Sequence, residues 1–295
     1  MIAVRRRRSR HQSALVESVP LWRGVLAWIV GLIVFFPVLY IFVTGFKSEQ
    51  DALALPPTIL PLGGGLPLSF RFTTENYAAV LAPERNFLQF FGTSLMTVIT
   101  SGLVVMLLAI PCAYALSWKR RGKNRDILFF FLSTKFLPAV GVIIPLFVIF
   151  RDLKLLDQPI TLIIMYTSMN LPIAVWMLRS FFDEVPKDVL DACRVDGANS
   201  RQELFGVALP MITPGLVATV FICAIFAWNE FFFALNLTAT RAATVPMFMI
   251  GFETSEGLFW AKLAAAGTMA MLPVVIVGWV AQRSLVRGMS MGAVK

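Results

Sequence analysis

PKDVLDACRVDGANSRQELFGVALPMITP, residues 186–214, is a polar island between two long apolar runs. Connections between bundled helices usually take roughly 2–8 residues and carry little internal order. This one has start and stop signals of its own. Pro186 suits a first helical position, where its missing N–H is no loss, and Gly197 suits the left-handed turn after a helix, so a short helix is expected over 186–196. Ser200 followed three residues later by Glu203 reads as a capping box, which starts a second helix over about 201–209. Pro210 and Pro214 should break that helix before the next apolar run. A helix, turn and helix outside the bilayer points to a docking surface for another protein, the alternative being an amphipathic interfacial helix resting on lipid headgroups.

Working outward, the chain is 58% hydrophobic and 15% charged over 295 residues, with a mean hydropathy of +0.76. That composition argues against a soluble domain. Six runs are long enough to cross a bilayer, which takes about 20 residues: 24–46, 90–118, 127–150, 160–182, 215–237 and 263–285. The expected fold is therefore an all-α membrane protein of six transmembrane helices. Its parts are a basic tail (1–23), a first crossing (24–46), a loop rich in proline and glycine (47–89), a core of five crossings (90–285) that carries the 186–214 loop, and a C-terminal tail (286–295).

The net charge of +9 is topological in origin, since the basic residues cluster between apolar runs. Arg5, Arg6, Arg7, Arg8 and Arg10 precede the first run, Lys119, Arg120, Arg121, Lys123 and Arg125 follow the second, and Arg287 and Lys295 follow the last. With six crossings all three groups fall on one side, and the opposite loops hold fewer lysines and arginines. By the positive-inside rule both termini and the 186–214 island are cytoplasmic and 47–89 is extracytoplasmic. The run Arg5 to Arg8 serves as a topological anchor. The apolar segment after it is longer than a signal h-region and lacks a small-residue cleavage site.

Several chemistries are excluded. Cys112, Cys193 and Cys223 are too scattered for a disulfide framework or a metal site, and the one histidine, His11, has no partner at ligand spacing. No Ser/His/Asp or Cys/His set can be built around it. No G-x-x-x-x-G-K-[ST] occurs, and Gly63, Gly64 and Gly65 run into Leu-Pro with no lysine to reach a phosphate. The chain is therefore not expected to hydrolyse ATP by itself.

Charges inside crossings are few and costly, so they mark a path or a partner. Lys135 lies about 12 Å from the cytoplasmic end of its run and can snorkel, whereas Glu230, about 22 Å along the fifth run, is too short to do so. A direct pair between them is disfavoured by depth. Glu230 neighbours Asn229, and in a continuous helix Asn236 falls two turns beyond Asn229 on the same face. Such a stripe either lines a wet path for a hydroxylated solute or bonds a neighbouring helix. Pro37, Pro111, Pro138, Pro145, Pro172 and Pro273 predict kinked crossings.

Within the island, Asp191-Ala192-Cys193, then Gly197, Val207, Leu209 and Pro210 resemble the EAA signature of bacterial ABC importer permeases, with Asp191 for Glu, Cys193 for Ala and Val207 for Ile. Ala113-Tyr114-Ala115-Leu116, Trp228-Asn229-Glu230-Phe231 and Gly292-Ala293-Val294-Lys295 extend the resemblance to the maltose-type permeases. The resemblance implies a type I ABC importer permease fold in a bacterial cytoplasmic (inner) membrane. It further implies a loop that docks on a separate ATPase, with Gly292, Ala293, Val294 and Lys295 as a further contact. The implied partners are a second permease, two ATPase subunits that hold the ATP and Mg, and an extracytoplasmic solute-binding protein. No cofactor is expected in this chain. The implied cargo is a sugar or sugar alcohol, the polyol reading resting on Thr73-Thr74-Glu75-Asn76-Tyr77 and Gly257-Leu258-Phe259-Trp260. Two competing classes are a stand-alone ion-coupled transporter and a membrane enzyme acting on a lipid-linked substrate. The latter would need paired carboxylates or a metal cluster at one membrane face.

Overall fold

The computed structural model describes residues 21–63, 68–118, 124–254 and 257–291. His11, the arginine run, Lys119, Arg120, Arg121, Lys123, Gly64, Gly65, Gly292, Ala293, Val294 and Lys295 lie outside the described residues.

The chain is a bundle of helices. In order they are α1 (Leu21–Thr44), α2 (Glu49–Ala52), α3 (Glu75–Leu81), α4 (Phe87–Trp118), α5 (Asn124–Lys135), α6 (Ala139–Asp152), α7 (Pro159–Asp183), α8 (Lys187–Val195) and α9 (Ser200–Met211). They continue with α10 (Thr213–Trp228), α11 (Phe232–Leu237), α12 (Val245–Ile250) and α13 (Trp260–Met291). A two-stranded ribbon, β1 (Glu253–Thr254) and β2 (Gly257–Leu258), precedes α13.

Among the described residues, α1, α4, α7 and the 260–282 part of α13 are each long and apolar enough to cross a membrane. The pairs α5–α6 and α9–α10 pass the same test together, which gives up to six spans. Two predicted crossings are not the single helices expected. The run 127–150 breaks between Lys135 and Ala139 with an 86° bend. Pro138 sits at the N-cap of α6, having no N–H to extend α5 and forcing Leu137 away from helical dihedrals. The run 215–237 breaks at 229–231, between α10 and α11. Pro37, Pro111, Pro145, Pro172 and Pro273 stay inside their helices, so Pro138 alone of the six stands at a break.

The core is centred on α4 and α7. Ala109 and Ala113 of α4 are buried in one cluster with Ala174, Val175, Leu178 and Phe182 of α7, and the small side chains let the backbones approach without a hydrophobic drive from water. α10 crosses α7 where Gly215 faces the Phe181 ring: a Cβ at 215 would lie 2.3 Å from that ring. α1 packs on α13 and buries only Thr44 at its end, leaving an apolar surface suited to lipid or another helix.

At the end of the bundle opposite α8 the loops are tied by polar anchors. Glu49 accepts from the N–H groups of Ala261 (2.9 Å) and Lys262 (3.2 Å), capping α13. Lys47 is buried, donates to the Thr58 carbonyl at 2.5 Å and lies 4.3 Å from the Tyr40 ring centre. Asp157, in the left-handed region at φ 55°, accepts from the N–H groups of Ala239, Thr240, Arg241 and Ala242 at 2.9–3.2 Å. Partial desolvation would raise its carboxyl, but those four amides together outweigh that and bring it down to about 2. This loop between α6 and α7 is thereby fastened to the loop between α11 and α12.

Candidate coupling hairpin and translocation path

The island folds as the hairpin α8–α9, with differences in detail from expectation. Pro186 is the N-cap of α8 and not its first residue. Gly197 has φ +82°, the left-handed conformation predicted for it. The Gly197 N–H donates to the Arg194 carbonyl and the Ala198 N–H to the Cys193 carbonyl, the paired bonds that close a helix through a left-handed glycine. A side chain at 197 would meet no neighbour, so glycine is required here by dihedral and not by space.

The capping box stands one residue upstream of the predicted Ser200/Glu203. Asn199 accepts from the N–H groups of Arg201 and Gln202, and Gln202 accepts from the Asn199 N–H. Asn at the cap with Gln at the third position fits the same geometry, and it releases Glu203 for another partner. Pro210 does not end the helix. A π turn over Glu203–Ala208, with Leu209 N–H donating to the Leu204 carbonyl, precedes it, and helix resumes to Met211. In α register the Pro210 ring would press on the Gly206 carbonyl; the wider turn relieves this. The stop comes at Ile212, where the chain bends 81° into α10.

Asp191, Ala192, Gly197 and Pro210 are exposed, while Cys193, Val207 and Leu209 are partly buried, the last two against the core. Leu190, Leu204 and Ala208 are buried and seat the hairpin on α4 and α7. Beside Asp191 a crevice of about 510 Å³ is lined by Ser117, Trp118, Asp183, Lys187 and Arg194. Two residues not singled out in the sequence complete this surface: Val195 is 87% exposed and Phe205 59%. Large apolar side chains held out on a hairpin beyond the apolar runs mark a contact surface. The available signal was their place among polar neighbours.

Of the residues expected to border a path, Glu230 lies in the break after α10. Its carboxylate accepts from the N–H of Phe233 at 3.0 Å and of Ala234 at 3.3 Å, so it caps α11. The break also overturns the shared face expected for Asn229 and Asn236. Asn229 donates to the Ile225 carbonyl and Asn236 to the Phe232 carbonyl, each turned to its own helix. Asn229 lines a mostly apolar cavity of about 530 Å³ with Tyr40, Thr44, Trp228, Met249 and Trp260. Lys135, the last residue of α5, points its ammonium at the Phe226 ring, 5.8 Å from its centre. Among the described residues Lys135 and Glu230 form no ion pair.

A family model described as the binding-protein-dependent transport system inner membrane component matches residues 105–291, a stretch that contains α7, the hairpin and α10. The chain belongs to this family. The permease is 31% identical over 266 residues to the inner membrane ABC transporter permease protein YcjP of Escherichia coli K12, covering 90% of this chain and 92% of that one. It is 31% identical over 269 residues to the trehalose transport system permease protein SugB of Mycobacterium tuberculosis, covering 88% and 92%. The crystal structure of a bacterial ABC transporter involved in import of the acidic polysaccharide alginate contains a chain of like fold, with TM-score 0.70 at 24% identity over 90% of this chain and 95% of that one. The permease therefore has the type I ABC permease fold and is a multi-pass membrane protein.

Proposed function

We propose that this permease forms half of the translocation path of an ATP-driven bacterial importer for a sugar or sugar alcohol, and that it docks on a separate ATPase through 186–214. The observation that carries this reading is the hairpin itself. It presents Asp191, Ala192, Gly197 and Pro210 together with the exposed Val195 and Phe205 on one rigid, capped element. The trehalose named for SugB supports a sugar as cargo. In this reading the chain makes six crossings, α5–α6 counting as one and α10 with α11 as another, with both termini in the cytoplasm of a bacterium and the membrane its inner one. A second permease covers the exposed face of α1, two ATPase subunits hold the ATP and Mg, and an extracytoplasmic protein delivers the solute. The chain itself performs no catalysis. Gly292, Ala293, Val294 and Lys295 add to the ATPase contact, and Asn229, Glu230, Asn236 and Lys135 border the path.

The test is copurification. Gly197→Pro removes the left-handed turn and the N–H that closes α8, so the ATPase subunit should be lost from the purified complex while the permease pair remains. Full ATPase recovery with coupled uptake in that variant would refute docking through the hairpin.

A further inference from the structure

Glu203 is only 3% exposed, an unusual place for a carboxylate and unlike the hairpin's other acids, Asp188, Asp191 and Asp196, which are exposed. It is held by a two-pronged contact from Arg194 of α8: Nε donates to one oxygen at 3.0 Å and Nη2 to the other at 2.7 Å. The third guanidinium nitrogen, Nη1, donates to signature residue Asp191 at 3.0 Å. The hydroxyl of Tyr114, a buried residue near the end of α4, lies close enough to the same pair to interact with both charges. The Tyr114 ring in turn meets Phe182 of α7 edge-on, 5.6 Å between centres. A chain of contacts therefore runs from the exposed Asp191 through Arg194 and Glu203 to Tyr114 and the bundle's two central helices.

Three features favour a mechanical role. The arginine fork fixes direction as well as distance, which a point contact or an apolar one does not. Hydrogen bonding to Glu203 and its charge also raise the Arg194 guanidinium above its ordinary value, so the arginine side of the link stays charged. Glu203 also opens the π turn, so its side chain leaves the helix where the backbone is widest and reaches inward while Phe205, two residues on, is held outward.

We infer that Glu203, Arg194 and Tyr114 are positioning residues that make α4 move as one body with the hairpin α8–α9. This rests on the docking role proposed above. Without the link the hairpin would keep its apolar seat on Leu190 and Leu204 but could slide relative to α4.

The experiment uses the full importer complex in lipid nanodiscs, with Cys112, Cys193 and Cys223 replaced by alanine and spin labels at Leu107→Cys on α4 and Arg201→Cys on α9, both exposed positions. A further label pair, Arg201→Cys and Ile144→Cys on α6, reports motion of the hairpin itself. Distances are measured without nucleotide and after trapping with ATP, Mg and vanadate. In the wild-type background the 107–201 distance should keep one peak in both states while the 144–201 distance shifts. In Glu203→Gln, and in Tyr114→Phe, which removes one oxygen only, trapping should add a second 107–201 peak. A single unchanged 107–201 peak in both variants would overturn the inference, with Tyr114→Phe deciding alone if Glu203→Gln fails to assemble. A 107–201 distance that already changes on trapping in the wild-type background would overturn it too. An unmoved 144–201 distance there would instead count against the docking reading.

Discussion

Asp157→Asn tests whether a single carboxylate fastens the two loops at the end of the bundle away from the hairpin. The native carboxylate collects four backbone N–H groups and the Thr240 hydroxyl, and its own N–H donates to the Leu237 carbonyl. A fall of the carboxyl from 3.8 to about 2 corresponds to about 2.4 kcal/mol, at ~1.36 kcal/mol per unit. The loop is partly open to water, and solvent screening cuts such contributions to about half or less, leaving about 1 kcal/mol. The asparagine keeps an acceptor oxygen but no charge, so most of that remainder should be lost.

Hydrogen exchange in nanodiscs reads this directly, since about 1 kcal/mol is about a fivefold change in local opening. At pH 7 the amides of 239–242 should exchange about fivefold faster in Asp157→Asn, with the middle of α7 unchanged. Because the folded carboxyl titrates below the free one, its contribution is present above about pH 4 and drains away as pH falls through 2, about half being gone near pH 3. The difference in thermal stability between wild type and Asp157→Asn should shrink accordingly. Unchanged exchange at 239–242, or equal acceleration throughout α7, would refute a local latch.

Two further substitutions probe the bundle interior. Gly215→Ala places a Cβ 2.3 Å from the Phe181 ring, so α10 and α7 must part; the purified protein should lose about 1–3 kcal/mol, read as a lowered midpoint of thermal unfolding in detergent. At the break after α10, Glu230→Ala removes the cap of α11 at a cost of about 1 kcal/mol, while Glu230→Gln retains one acceptor and should lose less. If Glu230 also borders the path, both variants impair uptake. Normal uptake in both would leave it a cap alone, and equal destabilisation in both would argue against the cap.

What could be read from the sequence was set by composition, and what could not was set by backbone geometry. Apolar runs above the length of a bilayer announce themselves, and α4 and α7 lie where 90–118 and 160–182 place them. Breaks inside apolar runs are harder, because residues on either side of Lys135 or Asn229 are as hydrophobic as a continuous helix demands. Pro138 carried the signal for one break, but five other prolines inside crossings carried the same signal and proved to lie within helices. Whether surrounding groups can satisfy the carbonyls a proline frees is a tertiary property that no local window contains. Glu230 shows the consequence. In a continuous helix it would be an unpaired charge in the bilayer and a path residue by default; in a broken one the same carboxylate is paid for by backbone amides.

The hairpin shows the converse case, a local rule satisfied by a different pair. Ser200 with Glu203 and Asn199 with Gln202 fit the same capping pattern one residue apart, and nothing local ranks them. The choice is made by Arg194, nine residues before Glu203, because a guanidinium fork gains more from a carboxylate than from an amide, whereas a cap is served well by either. Capping with Asn199 and Gln202 frees Glu203 to take the two-pronged contact from Arg194. That assignment turns a helix start into a buried joint between the hairpin and the bundle.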